Sequence, residues 1–156
     1  IGFDFIKEDF KIPAREFTDL YNSGVKNCSL HSSVIEVLSY FKKKGIRQFV
    51  LSAMQQDMLE LTLKQQGIFD YFEGIAGLKD HYAASKIERG NQLITEFAIN
   101  KTNATIIGDT IHDFEVAQQL GVDCILVADG HQSIERLKST GVQVIPELKD
   151  LTKLSL

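Results

Sequence analysis

Two carboxylates stand four residues apart in Ile106-Ile107-Gly108-Asp109-Thr110-Ile111-His112-Asp113, where an apolar run empties into a stretch spaced like a helix. The pattern predicts a strand over Thr105–Gly108 that ends on Asp109, and a helix that begins near Asp113. Four helical residues rise only about 6 Å, so both acids can face one pocket. Two carboxylates aimed at one place repel unless a proton or a cation lies between them. Oxygen ligands in that number suit Mg²⁺, which binds one or two carboxylates plus phosphate and keeps several waters. The plain structural alternative is that Asp109 opens a turn and Asp113 caps a helix.

Ser52 follows a buried strand read over Ile46–Leu51, with a helix starting soon after. A hydroxyl beside free backbone N–H groups at such a point can hold an anion, or simply cap the helix. Lys86 stands at the start of a helix, where the dipole disfavours a cation. That placement suggests a negatively charged ligand, against the alternative of a solvated lysine. Lys79 competes for the same role. His31, His81, His112 and His131 lack the pairing of a zinc site and read as surface or loop residues, with His112 and His131 near strand ends. Met54 and Met58, at helical spacing, read as core.

These residues are punctuated by alternating elements. A helix capped by Ser32-Ser33 runs through Val34, Val37, Leu38 and Phe41 to Gly45; "IRQFVLSA" reads as a strand; and "QQDMLELTLKQQG" reads as a helix. "YFEGIAGL" is a short strand or loop, residues 85–99 a helix, "ATIIG" a strand, and "DFEVAQQLG" a helix closing at Gly121. "DCILVAD", "SIERLKSTG" and "VQVI" complete the series as strand, helix and strand. Helices alternating with near-continuous apolar strands predict an α/β fold around a parallel sheet. Ligands of such sheets sit at the carboxyl ends of strands, which is where Ser52 and Asp109 fall.

The order of Leu51-Ser52-Ala53, Ser85-Lys86-Ile87-Glu88-Arg89-Gly90 and Gly108-Asp109-Thr110-Ile111-His112-Asp113 resembles the haloacid dehalogenase-like superfamily of phosphohydrolases. The likeness is greatest to phosphoglycolate phosphatase-like and β-phosphoglucomutase-like members. It implies a Rossmann-like three-layer sandwich over residues 26–156, with residues 1–25 as the end of a helical cap. It also implies roles. Ser52 binds phosphate beside Ala53, Lys86 neutralises the charge of phosphate and nucleophile, Asp109 binds Mg²⁺, and Asp113 supports or joins the metal shell. Val127-Ala128-Asp129-Gly130-His131 falls on a loop that closes one edge of such sites. Ala53 stands where many members have Asn, and Ile87 where many have Pro; neither change removes a charge that the chemistry needs.

The resemblance also implies a first strand carrying Asp-x-Asp-x-Thr, whose first Asp attacks phosphorus, and no such stretch occurs. Asp4 is a poor substitute, because Ile6 stands in place of the second Asp. On this reading the nucleophile lies outside the chain, and the α/β core lacks its first, central strand. Two strand edges would then want partners. Each unpaired buried backbone group costs about 1–3 kcal/mol, so a handful cancels a typical stability of about 5–15 kcal/mol. The missing segment, or a second copy in a homo-oligomer, is expected to fill the slot.

The resemblance makes the parent protein an Mg²⁺-dependent phosphatase of a small phosphorylated metabolite, phosphoglycolate-like, working through an aspartyl-phosphate. A sugar-phosphate mutase and a non-catalytic binding module are the alternatives, and the chain alone is expected to be inactive. Composition agrees. The chain has 156 residues, 44% of them hydrophobic, enough for one domain with a core. Its net charge is −4, and the Lys42-Lys43-Lys44 cluster suits a helix end, so no nucleic-acid partner is expected. No apolar stretch approaches the ~20 residues of a membrane span. Cys28 and Cys124 do not make a disulfide framework, and together with the absence of a signal peptide they point to a reducing, cytoplasmic setting.

Overall fold

A computed structural model describes residues 28–78 and 86–154, together with Glu16, Leu20 and Gly24. The chain divides into two units, Ile1–Leu30 and His31–Leu156; all elements named here belong to the second. Segment 1–25, read as the end of a cap, lies almost wholly outside the described residues. So do Asp4, Lys79 and His81.

Helix α1 (Val34–Lys43) opens the unit and gathers Lys42 and Lys43 into its last turn. Ser33 occupies the N-cap position, but its φ of +70° lies in the left-handed region, not the extended one that capping uses, and its side chain makes no capping hydrogen bond. The chain then alternates through β1 (Phe49–Gln55), α2 (Gln56–Gln65), β2 (Gly74–Leu78), α3 (Lys86–Glu96), β3 (Thr105–Gly108), α4 (Ile111–Leu120), β4 (Asp123–Val127), α5 (Ile134–Lys138) and β5 (Gln143–Ile145). Short 3₁₀ turns cover Phe69–Tyr71, Lys101–Asn103 and Leu148–Lys153. Helix α4 stops at Gly121, whose φ of +71° lets its N–H reach back to the last turn.

The strands are parallel throughout, as their apolar runs predict, but they fall into two groups: β1 with β2, and β3–β4–β5. The second group keeps one register from Thr105↔Asp123 to Gly108↔Leu126, and β4 pairs with β5 from Ile125↔Gln143 to Val127↔Ile145. The first group is irregular. Phe49, Val50 and Leu51 pair with Gly74, Ile75 and Ala76, and the next match is Gln55↔Leu78. β1 therefore spends two more residues than β2 over this stretch and bulges at Ser52–Met54. The strand accordingly runs beyond the expected Ile46–Leu51, and Ser52 lies inside it rather than after it.

Val37 and Phe41 of α1 pack on Ile125, Val127, Ile145 and Leu151 to form a core over the second group. Leu126, Leu137 and Val116 are fully buried beside it; truncating such a leucine to alanine costs about 2–5 kcal/mol. Helix α3 joins the two groups, because Gly90 lies against Leu51 of β1 and Leu120 of α4. Met54 and Met58 are half-buried rather than core, since they sit on and just after the bulge.

Between the two groups runs a groove of about 730 Å³, lined by Phe49 and Leu51 from β1 and by Thr105, Ile106 and Ile107 from β3. Among the described residues, each of these strands has a neighbour on one edge only. Lys86 and Asp113 also line the groove.

Candidate active site

Helix α4 owes its start to a capping box. Thr110 is the N-cap, and its hydroxyl oxygen accepts from the N–H of Asp113. The Asp113 carboxylate returns the exchange. Its Oδ2 accepts from the N–H of Asp109 at 3.2 Å, the N–H of Thr110 at 3.1 Å and the hydroxyl of Thr110 at 2.7 Å. Its Oδ1 accepts from Lys86 Nζ at 2.6 Å, and the two side chains are only 16% and 12% exposed. Burial works against a charged Asp113, but the hydrogen bonds from Lys86 and Thr110 outweigh it and hold the carboxyl below the usual range. The cap reading of Asp113 therefore holds, and the same carboxylate that closes the helix also fixes the lysine.

Both oxygens of Asp113 accept from protein donors. Asp109 is different. Its carboxylate accepts no hydrogen bond from the described residues, and it stands at the carboxyl end of β3 with hard oxygens available. That donor set fits Mg²⁺, which takes one or two carboxylates and completes its shell with water and phosphate. Among the described residues no three His, Cys, Asp or Glu side chains gather around a point.

Two glycines make room for the acids. A Cβ on Gly108 would run into the Asp113 carboxyl, and a Cβ on Gly130 into the Asp109 carboxyl. Gly130 belongs to the loop after β4, which Gln132 ties down by accepting from the N–H of Ile111 at 2.9 Å. Gln132 escaped the sequence reading because its partner lies 21 positions away, and no local pattern announces such a pairing.

Ser52 lies in the bulge of β1, where its hydroxyl accepts from the N–H of Met54 at 3.1 Å. It follows Leu51, which lines the same groove as Lys86 and Asp113, but it touches none of the three charged residues. Ala53 is exposed beside it. The structure thus brings Lys86, Asp109 and Asp113 together and leaves Ser52 apart from them. The three described histidines are exposed, His31 against Asp129 and His112 against Glu115.

The unit is a Rossmann-like α/β fold with polar groups at strand carboxyl ends, one lysine locked to an acid and a second acid that accepts no hydrogen bond from the described residues. The sequence profile of the haloacid dehalogenase-like hydrolases matches residues 4–127, most of the chain, and the chain belongs to that family. A Dickeya dadantii protein described as probable phosphatase IndB is 28% identical over 114 residues, covering 72% of this chain and 49% of that protein. The tyrosine-protein kinase PtkA of Mycobacterium tuberculosis is 23% identical over 127 residues, covering 81% of this chain and 44% of that protein. The chain spans about half the length of these curated relatives. A solved structure of a predicted phosphoglycolate phosphatase from Haemophilus somnus superposes with a TM-score of 0.77 at 18% identity, covering 89% of this chain and 63% of that one. At that identity the likeness is one of fold. Among the described residues no helix is long and apolar enough to cross a membrane.

Proposed function

We propose that this chain is the α/β part of an Mg²⁺-dependent phosphatase acting on a small phosphorylated metabolite of the phosphoglycolate kind, in a cytoplasmic setting. The observation that carries the reading is the Lys86–Asp113 pair at 2.6 Å beside the open carboxylate of Asp109. An ammonium has three N–H donors; one is spent on Asp113, and the others can reach a phosphoryl oxygen. Ser52 and Ala53 supply a hydroxyl and main-chain N–H groups from the other side of the groove. Asp109 would hold Mg²⁺, which when bound offsets negative charge on the phosphoryl oxygens. Asp113 keeps Lys86 and the turn at Asp109 in place.

The attacking carboxylate comes from outside the described residues. We place it on an extended strand in the groove between β1 and β3. Only a strand can satisfy the open backbone edges on both sides at once, and a residue at one end of it would face Lys86. Attack of that carboxylate on phosphorus expels the alcohol and leaves an aspartyl-phosphate, which water then cleaves to phosphate. The phosphatase name of the Dickeya relative and the fold of the phosphoglycolate phosphatase support this reading.

Titration of the chain with MgCl₂ and then inorganic phosphate, followed by amide NMR, tests it. Mg²⁺ should shift Asp109 and Thr110, and phosphate should shift Ser52–Met54 and the first turn of α3. Asp109→Ala should abolish the Mg²⁺ response. No response to either ion in the unaltered chain overturns the assignment.

A further inference from the structure

At the bulge in β1 the backbone ladder with β2 is interrupted, and three backbone groups of β2 find side-chain partners instead. Gln56 donates from Nε2 to the carbonyl of Ile75 at 3.1 Å, and its Oε1 accepts from the N–H of Gly77 at 2.7 Å. Arg89 donates from Nε to the carbonyl of Gly77 at 2.6 Å. The same guanidinium donates from Nη2 to Gln56 Oε1 at 3.2 Å, which ties the two side chains together. Gly77 leaves no slack, because a Cβ there would lie 2.7 Å from the carbonyl oxygen of Met54, on the bulge itself.

Arg89 is three residues after Lys86, one turn along α3, so the two side chains project from neighbouring positions. One reaches Asp113 beside β3; the other reaches β2 and, through Gln56, the end of β1. The start of α3 is thereby pinned to both strand groups. Arg89 contacts neither Asp109 nor Ser52 and adds nothing to the ionic pair. Its hydrogen bonds run instead to the carbonyl of Gly77 and to Gln56, beside the bulge.

We propose that Arg89, acting through Gln56 and Gly77, is a positioning residue that sets the Ser52–Met54 bulge at the distance from Lys86 needed for both to grip one phosphoryl group. The proposal rests on the phosphate reading given above. It predicts that the fork shape of the guanidinium matters, because Nε and Nη2 serve different acceptors. A lysine, with a single head group on a flexible stem, cannot reproduce that fork.

The test is inorganic phosphate titrated into the chain and read from the amide shifts of Ser52, Ala53 and Met54. The set is the unaltered chain, Arg89→Met, Arg89→Lys, Gln56→Met and the control Arg47→Met. Arg47, which also lines the groove but precedes β1 at the far end of that strand from the bulge, makes a comparable bridge to Glu73 at 2.6 Å and to the carbonyl of Phe97 at 3.1 Å. Both Arg89 variants should bind phosphate about tenfold more weakly, the size expected on losing a charged hydrogen bond that holds a site together. Gln56→Met should weaken it to a similar extent, and it carries the test should an Arg89 variant fail to fold. Arg47→Met should lower the unfolding midpoint while leaving phosphate affinity within about twofold. An unaltered chain that does not respond to phosphate overturns the phosphate reading and this proposal with it. A chain that binds phosphate as well with Met at 89 as with Arg overturns the proposal alone. Full affinity in Arg89→Lys also overturns it, because charge without the fork would then suffice.

Discussion

The two strand groups end differently. β3 keeps register to its last residue and turns directly into a capped helix, so that every oxygen of Asp113 meets a donor within four residues of sequence or on Lys86. β1 slips register at Leu51, and the strand beside it is completed by side chains from Gln56 and Arg89. One end is made by local rules, a capping box and a glycine. The other is made by contacts that close only when distant parts of the chain have come together. A charge can be fixed by the first kind of construction, whereas a bulge in a strand needs the second.

The largest test of that contrast is Asp113→Ala. It removes the acceptor of Lys86 and half of the capping box, and it leaves an ammonium buried without a partner. We expect a loss of about 3–5 kcal/mol in equilibrium denaturation. Asp150→Ala is the comparison, since Asp150 pairs with a Lys153 that is 70% exposed, although it also accepts from the N–H of Glu147 in a capping box; its loss should be clearly the smaller. Equal losses would show that the Lys86 pair is no better held than a surface one. The glycines give the next largest effect. Gly77→Ala drives a Cβ toward the backbone oxygen of Met54, and Gly108→Ala drives one still closer to the Cβ of Asp113, whose carboxylate is held by four donors. Both should cost about 1–3 kcal/mol, with Gly108→Ala the costlier because its contact is the tighter and Asp113 cannot swing away without giving up its hydrogen bonds. The reverse order would mean that the cap yields more easily than the bulge.

The same division decides what could be read from sequence. Asp109, Asp113 and the end of α4 at Gly121 were legible because strand, cap and helix stop are signalled within about 15 consecutive residues. The parallel α/β class was legible from the alternation of apolar runs. Lys86 was legible as a charge in the wrong place for a helix dipole, although its partner was not. Gln56 and Arg89 carried no signal, since their contacts span 21 and 33 positions. The bulge was missed for a related reason. "IRQFVLSA" reads as a simple strand, and only its pairing with β2 reveals two surplus residues. Ser33 shows the opposite failure, a capping residue in place whose backbone angle prevents the cap.

The acid limb of stability sharpens the contrast further. The Asp113 carboxyl is held below the ordinary range by Lys86 and Thr110 in the folded chain. Its contribution is therefore complete above the unfolded carboxyl value of about 3.9, and it is lost as pH falls through the lower folded value. Asp113→Asn should flatten the fall in stability below about pH 4. An unchanged acid limb would place the acid sensitivity elsewhere.

The smallest effect concerns Cys124, on β4 behind the acid pair. Burial, and secondarily the charge of Asp113, pushes its thiol up to about 11. In a Cys28→Ser background at pH 8, Cys124 should react with a disulfide reagent on the order of a hundredfold more slowly than an ordinary thiol, because so little of it is thiolate. Asp113→Asn should speed that reaction only modestly, since burial remains the larger cause. A rate that rose to the ordinary value in Asp113→Asn would mean that the end of β3 depends on the carboxylate for its packing as well as its charge. The locally built end of the site would then be as fragile as the one that Gln56 and Arg89 hold together.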